Sequence, residues 1–175
     1  MKAGKILAII GAIVAIVSVG LSFVLPTIFG WYRIELSAIG ISAGIYFTGI
    51  GSVATTGGIG GISGFATLEL IGGILLIIGG IICIVGVIKE SKAAGIVGGV
   101  LILLAPLILI IDLLTGFGDF ADLIQTLGGP SNASVFWGSF TITGPPDVIM
   151  SWGIWIGSFL ALGGGALGII GGAIV

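Results

Sequence analysis

The sequence predicts an all-α membrane protein, a four-helix bundle with a small extracytoplasmic β-sheet built from both external loops. Two observations predict this class. The 175 residues are 57% hydrophobic and only 7% charged, whereas about a quarter of the residues in a soluble domain are charged. Four stretches are also long and apolar enough to cross a hydrocarbon core about 30 Å thick, which takes about 20 helical residues.

The four predicted spans cover about 6–25, 70–88, 93–114 and 148–175, and we number them in chain order. They leave external loops at 26–69 and 115–147 within a single integral membrane domain, 1–175. The first span follows two lysines, as the apolar part of a secretory signal does, but it is about twice the usual length of that part. We therefore interpret it as a retained anchor.

The basic residues predict the orientation, because Lys and Arg near span ends stay on the cytoplasmic side. Lys2, Lys5, Lys89 and Lys92 flank the first three spans on one side. We therefore expect a multi-pass protein of the cell membrane with both termini in the cytoplasm. The short 89–92 turn makes the second and third spans an antiparallel hairpin.

Strands are predicted in the first external loop. Residues 32–36 alternate between polar and apolar, and 39–47 continue a run rich in Ile and aromatic residues, which is typical of strands. An alternative makes the uncharged segment 37–55 a fifth span. That alternative would export Lys89 and Lys92, against the charge rule. The glycine-rich segment 56–61 is predicted to be a turn or loop, and 63–67 leads back to the membrane.

The second external loop carries acidic and apolar residues at helical spacing over 118–127, which predicts a short interfacial helix. Residues 134–143 are predicted to form a strand. Because an isolated hairpin is marginally stable, we expect the strands of both loops to share one sheet. Asn132 begins an Asn-Ala-Ser glycosylation sequon on the predicted outer side.

Small residues recur every seven positions in each span. The strongest series are Gly72, Gly79, Gly86 in the second span and Gly157, Gly164, Gly171 in the fourth; the weaker ones are Gly4, Gly11, Ser18 and Ser91, Gly98, Ala105. Helix association in lipid depends on close van der Waals packing, so these series predict packing seams where backbones approach closely. With 35 Gly in the chain, coincidence is the alternative explanation.

Asp112 continues the seam of the third span and should face the bundle interior near the outer interface. An acidic group there must be solvated, protonated or paired. Arg33, Glu35 and Glu69 lie at the outer ends of the first loop and second span. We expect these four residues to form one salt-bridge layer that pins the sheet to the bundle. The alternatives for Asp112 are proton or cation handling and a contact with a partner.

Four aromatic residues near the outer span ends, Trp31, Tyr32, Trp152 and Trp155, are predicted to anchor at the lipid headgroups. The chain has no His and one Cys, so it offers no imidazole base and no thiolate metal cage. No catalytic set of residues can be assembled from the sequence. We therefore expect no enzyme, cofactor, metal, nucleic-acid partner or small-molecule substrate.

Four spans, a large β-rich first external loop and a second external loop with one further strand resemble the claudin-like tetraspan proteins. The resemblance covers the whole chain and is topological. Trp31 matches the first Trp of that family's first loop, whereas the Gly-Leu-Trp motif and the two disulfide-bonded Cys are missing. The resemblance implies cell contact, a barrier between cells or an auxiliary role to a channel.

The sequence thus predicts a non-enzymatic membrane protein that acts as a structural, assembly or accessory subunit. Its expected partners are the lipid bilayer and either further copies of itself or other membrane proteins. Two alternatives stay open: a small channel or ion-handling subunit that uses Asp112 and a kink at Pro106, and a cell-surface contact protein that acts through its external loops.

Overall fold

A computed structural model describes residues 3–58 and 67–175, except for the side chains of residues 116–120. Lys2 and part of the predicted loop over 56–67 lie outside these residues. The described elements are, in order, α1 (Ala3–Val24), α2 (Pro26–Phe29), β1 (Tyr32–Ala38), β2 (Ile41–Phe47), β3 (Val53–Thr56), α3 (Thr67–Ile88), α4 (Lys92–Thr126), β4 (Trp137–Ile142), β5 (Val148–Ile154) and α5 (Ile156–Ala173).

Four helices are long and apolar enough to cross a membrane: Ala3–Val24, Thr67–Ile88, Lys92–Thr115 within α4, and Ile156–Ala173. They suggest a multi-pass membrane protein, as the sequence predicts. The segment 37–55, the alternative fifth span, lies instead in β1, β2, β3 and their turns.

Two predicted boundaries are wrong. The fourth span was expected from 148, but Val148–Ile154 is β5 and the helix begins only at Ile156. Five of the seven residues of β5 are apolar and none is charged, so hydrophobicity alone does not separate this strand from the helix that follows. The predicted interfacial helix at 118–127 is not separate either. It is the end of α4, which continues from the third span to Thr126 without a break.

The five strands form one antiparallel sheet in the order β3-β2-β1-β5-β4. The central strand β1 pairs with β2 from Tyr32↔Phe47 to Ala38↔Ile41. On its other side it pairs with β5 from Tyr32↔Ile154 to Ser37↔Ile149. Strands from both segments that connect the long helices therefore share one sheet.

Main-chain bonds join the sheet to the helices beside Trp31. The Trp31 carbonyl oxygen accepts hydrogen bonds from the Trp155 backbone N–H (2.9 Å) and the Ser158 hydroxyl (2.9 Å). The Gly157 N–H donates to the Gly30 carbonyl oxygen at 3.0 Å. These bonds satisfy N–H groups in the first turn of α5, which have no partner within that helix.

The turn between β2 and β3 rests on two helices. The Gly49 N–H donates to the buried Ser22 hydroxyl near the end of α1 (2.9 Å). The Gly49 carbonyl oxygen lies so close to Gly73 of α3 that a Cβ at Gly73 would collide with it. Glycine at position 73 therefore allows this turn to reach the helices.

At the opposite end of the helices, α3 and α4 are joined by a three-residue turn. Ser91 caps α4 by accepting a hydrogen bond from the Ala94 N–H at 3.3 Å, as N-cap residues do. Glu90 in this turn pairs with Lys5 of α1 at 2.7 Å. Lys5, Lys89 and Lys92 therefore share the end of the helices that is opposite the sheet.

The predicted seam of the fourth span lies against α1. A Cβ added at Gly164 would be 2.6 Å from the Gly11 carbonyl oxygen, and one at Gly171 would be 2.6 Å from the Gly4 carbonyl oxygen. At Gly157 an added Cβ would meet the Trp31 ring at 2.5 Å. Real Cβ atoms do not approach other atoms so closely, so this contact between α1 and α5 requires glycine.

The predicted seam of the second span lies against α4. A Cβ at Gly79 would be 2.7 Å from the Gly98 carbonyl oxygen, and one at Gly86 would be 2.5 Å from the Ala94 Cβ. At Gly72 the nearest Ala105 atoms are 3.3 to 3.4 Å away. The second and fourth seams therefore face different partners, α4 and α1, rather than each other.

Further glycines lie where α4 packs against α5 and where α3 packs against α1. Gly99 and Gly172 bring α4 against α5, since Cβ atoms there would lie 2.5 Å from the Ile169 nitrogen and 2.7 Å from the Ile96 nitrogen. Gly80 receives the Ile16 side chain of α1. Each long helix thus packs mainly against two others, in the cyclic order α1, α3, α4, α5.

We predict that Gly164→Ala destabilises the protein by about 1–3 kcal/mol, because the new methyl group must push α1 and α5 apart. The neighbouring Gly163 is the matched control, since a Cβ there meets nothing within 4 Å. Gly163→Ala should be neutral or stabilising by up to about 1 kcal/mol through helix propensity. Thermal unfolding in detergent measures both variants, and equal melting temperatures would contradict the prediction.

Candidate functional site

The four residues that were predicted to form one polar layer occur as two pairs. Arg33 pairs with Glu35 in β1, and Glu69 of α3 contacts Asp112 of α4. The structure does not show the single salt-bridge layer that the sequence predicts, because the ion pair of Arg33 is with Glu35 in the same strand.

The first pair joins β1, β2 and the start of α5. Arg33 Nη1 lies 2.9 Å from Glu35 Oε2, and the Tyr46 hydroxyl donates to Glu35 Oε1 at 2.7 Å. The Arg33 guanidinium stacks over the Trp155 ring, 3.4 Å from its centroid, which adds a cation–π attraction. Period-two alternation puts residues 33 and 35 on one face of the strand, but Tyr46 and Trp155 come from elsewhere in the chain, and no sequence pattern marks them.

Two tyrosines beside this pair have altered acidity. Burial raises the pKa of Tyr46 above its usual value, and the hydrogen bond to Glu35 raises it further. Burial also raises the pKa of Tyr32, whose hydroxyl donates to the Val135 carbonyl oxygen at 3.0 Å. Both phenols therefore stay protonated donors well into the alkaline range.

The second pair lies between α3 and α4 at the sheet end of the helices. Glu69, in the first turn of α3, is only 3% exposed, and Asp112 is half-buried. The Asp112 carboxyl neighbours that of Glu69. Glu69 Oε2 has no hydrogen-bond donor in the described part of the chain. A buried carboxylate oxygen without a donor is costly, which makes this pair the strongest candidate for chemistry.

The aromatic residues expected at the headgroups belong mostly to the core. Trp31, Tyr32 and Trp152 are buried, and only Trp155 remains partly exposed. The Trp31 ring packs against Gly49 and Gly157, and its Nε1 has no acceptor among the described residues. An aromatic residue near the end of a span can anchor at the lipid headgroups or pack between the sheet and the helices. Its position in the sequence and its residue type do not distinguish the two.

The sheet ends in an apolar tip, which we define as Ile39, Ile41 and Ile149. These side chains are 87%, 70% and 49% exposed. They lie at the end of β1 and β5 opposite Tyr32 and Ile154, which adjoin the helices. A cleft of about 380 Å³ beside them is lined by Ser37, Ala38, Ile39, Thr141, Asp147 and Ile149. An apolar surface of this kind favours contact with another protein.

Asn132 and Cys83 lie apart from both pairs of charged residues. Asn132 is exposed in the turn between α4 and β4, so a glycan could reach it, and its glycosylation stays a prediction. Cys83 is fully buried, and its thiol is directed to the Ala8 carbonyl oxygen at 3.8 Å. Among the side chains that the structure describes, no cluster of three or more His, Cys, Asp or Glu residues could hold a metal ion.

We predict that Tyr46→Phe lowers the free energy of unfolding by about 1.5–3 kcal/mol at neutral pH, the contribution of a hydrogen bond to a charged group. Because folding raises the Tyr46 pKa, this contribution is fully present below the ordinary tyrosine pKa of about 10 and is lost as pH rises above it. Thermal unfolding at several alkaline pH values measures the effect. Tyr32→Phe is the comparison: it removes a hydrogen bond to the neutral Val135 carbonyl oxygen, so it should cost less, about 0.5–1.5 kcal/mol. A Tyr46→Phe variant as stable as the wild type would contradict the prediction.

The sequence matches no protein-family model, and a search of curated proteins finds no similar sequence. The claudin-like resemblance therefore stays a prediction drawn from topology.

Proposed function

We propose that this protein is a non-enzymatic integral membrane protein that serves as a structural or accessory subunit of a larger membrane assembly. The observation that supports the proposal best is the apolar tip of the sheet, because Ile39 and Ile41 expose most of their surface. A partner that covers these side chains would remove apolar area from water, which favours association.

The open edges of the sheet support the same role. β3 and β4 are the outer strands, and neither Val53–Thr56 nor Trp137–Ile142 contains a charged residue. Trp137 on β4 is 68% exposed. Soluble proteins commonly protect edge strands with charges, since an unprotected edge pairs with other chains. Uncharged edges suit a sheet that lies against a partner.

The proposed orientation puts the sheet outside the cell and both termini in the cytoplasm. It is supported by Lys5, Lys89 and Lys92, which lie at the end of the helices opposite the sheet, because basic residues near span ends favour the cytoplasmic side. The four helices then cross the cell membrane, and α4 continues beyond its apolar part toward Thr126 on the outer side.

Cysteine labelling tests the orientation. Cys83 is the only cysteine in the sequence, so Cys83→Ala provides a background without thiols. We expect Ile39→Cys in this background to react with a membrane-impermeant maleimide on intact cells. Lys89→Cys, the matched control at the other end, should react only after lysis. The reverse pattern would overturn the orientation.

A double substitution tests the role of the apolar tip. We predict that Ile39→Ser with Ile41→Ser removes self-association or partner subunits from the protein purified in lipid nanodiscs, because the apolar contact is lost. Mass determination and mass spectrometry identify what remains bound. Thr55→Ala, at an exposed site on β3 away from the tip, is the control and should retain the partners. An unchanged assembly in the double variant would contradict the proposal.

Contact between cells is the second candidate, as in the claudin-like tetraspan proteins that the arrangement resembles. It is favoured by the position of the tip at the end of the sheet farthest from the helices, where a molecule of a facing membrane could meet it. Mixing two cell populations that carry differently tagged copies distinguishes the candidates. Pull-down between populations favours cell contact, and pull-down within one population favours a subunit of one membrane.

A further inference from the structure

We propose that Glu69 and Asp112 form a proton-binding site, in which the two carboxyl groups hold one proton between them and link α3 to α4. Its ligand is a proton exchanged with the solution on the sheet side of the membrane. This site is separate from the apolar tip and does not depend on the role proposed for it.

The glycine seam between α3 and α4 fixes the position of the site. These helices run antiparallel, and the contacts of Gly86 with the Gly95 nitrogen and of Gly79 with the Ile102 nitrogen fix their register. The two residue numbers add up to 181 in both contacts, as they do for Glu69 and Asp112, so this register brings Glu69 opposite Asp112. Seven residues separate Asp112 from Ala105, so both lie on the face of α4 that meets α3. The contact between the two acids therefore follows from the backbone packing.

Two adjacent carboxyl groups can form a hydrogen bond only if one of them is protonated. An ionised carboxylate only accepts hydrogen bonds, whereas a protonated carboxyl can also donate one. The Glu69 and Asp112 carboxyl groups lie beside each other, and they can share a hydrogen bond only when one of them carries a proton. Glu69 Oε2 is buried and finds no donor in the chain as described. One shared proton supplies the hydrogen bond and removes one of two adjacent negative charges.

Neighbouring elements supply no positive charge that could replace the proton. The only cation on the sheet side in the described ranges, Arg33 of β1, is already paired with Glu35. The adjoining part of α1 offers Ser18 and Ser22, and the turn between β2 and β3 offers Thr48 and Ser52, all uncharged. α5 contains no ionisable side chain. The remaining charged or titratable side chains that the structure describes are Cys83 in the middle of α3, Lys5, Lys89, Glu90 and Lys92 at the far end, Asp122 toward the end of α4, Asp147 near the tip, and Tyr32 and Tyr46, whose hydroxyls are bonded to Val135 and Glu35.

Loss of the proton would weaken the contact between α3 and α4 at the end of the helices that adjoins the sheet. Two carboxylates in contact repel each other, and Glu69 lies one turn before Gly73, which touches the β2–β3 turn at Gly49. Separation of α3 from α4 here would therefore reach the sheet through that turn. Asp112 is half-buried, so it gives the proton a path to the surface.

Difference infrared spectroscopy on the full-length protein in nanodiscs tests the site. The C=O stretch of a protonated carboxylic acid is distinct from the bands of a carboxylate. We expect the wild type at neutral pH to contain one protonated carboxyl that disappears at alkaline pH. The band should be absent from both Glu69→Gln and Asp112→Asn, because an amide then donates to the remaining carboxylate. Glu35→Gln is the control and should retain the band, since the Glu35 carboxylate is paired with Arg33.

Thermal unfolding provides a second readout. The wild type should lose stability as pH rises through the loss of the shared proton, whereas Glu69→Gln should not show this loss, because an amide–carboxylate hydrogen bond needs no proton. Two results would overturn the proposal: absence of a protonated carboxyl in the wild type at neutral pH, and stabilisation by added Na⁺ or Ca²⁺ without such a band. The second result would identify a metal ion as the ligand.

Discussion

The close approach of helix backbones at glycine is the constraint on which the structure depends. Lipid tails are as apolar as leucine, so burial of apolar side chains does little to hold membrane helices together, and association relies on van der Waals contact between well-matched surfaces. Here Gly11 meets Gly164 and Gly79 meets Gly98, with no room for a Cβ on either side. These contacts fix which faces of the helices meet and their register along the axis.

The register of the helices determines what happens at their sheet end. Packing of α5 on α1 brings Gly157 and Ser158 under Gly30 and Trp31, so main-chain groups of the two segments bond directly. β1 begins at this joint and the antiparallel strand β5 ends there, and the two pair over six residue positions. Packing of α3 on α4 brings Glu69 to Asp112. The sheet and the acidic pair are thus both consequences of helix packing.

A sheet held in this way can present its far end to a partner. Backbone bonds at Trp31, the stacking of Arg33 on Trp155 and the hydrogen bond from Gly49 to Ser22 connect the sheet to α1 and α5. Order at the joint lowers the conformational entropy that a partner would have to remove on binding the tip. Rigidity at one end and apolar exposure at the other suit a subunit whose task is assembly.

The sequence by itself determined the four apolar helices, the strands over 32–36 and 39–47, and the small residues along each helix, because these depend on local composition and period. Only the tertiary structure decided the rest. A seven-residue repeat marks a face but not its partner, so it did not reveal that the second and fourth seams meet α4 and α1. An uncharged and mostly apolar strand such as β5 has a hydropathy similar to that of the first turns of a membrane helix, so the sequence alone does not separate β5 from α5. The division of the four charged residues into Arg33–Glu35 and Glu69–Asp112 depends on distances between elements remote in sequence, which the packing of backbones sets.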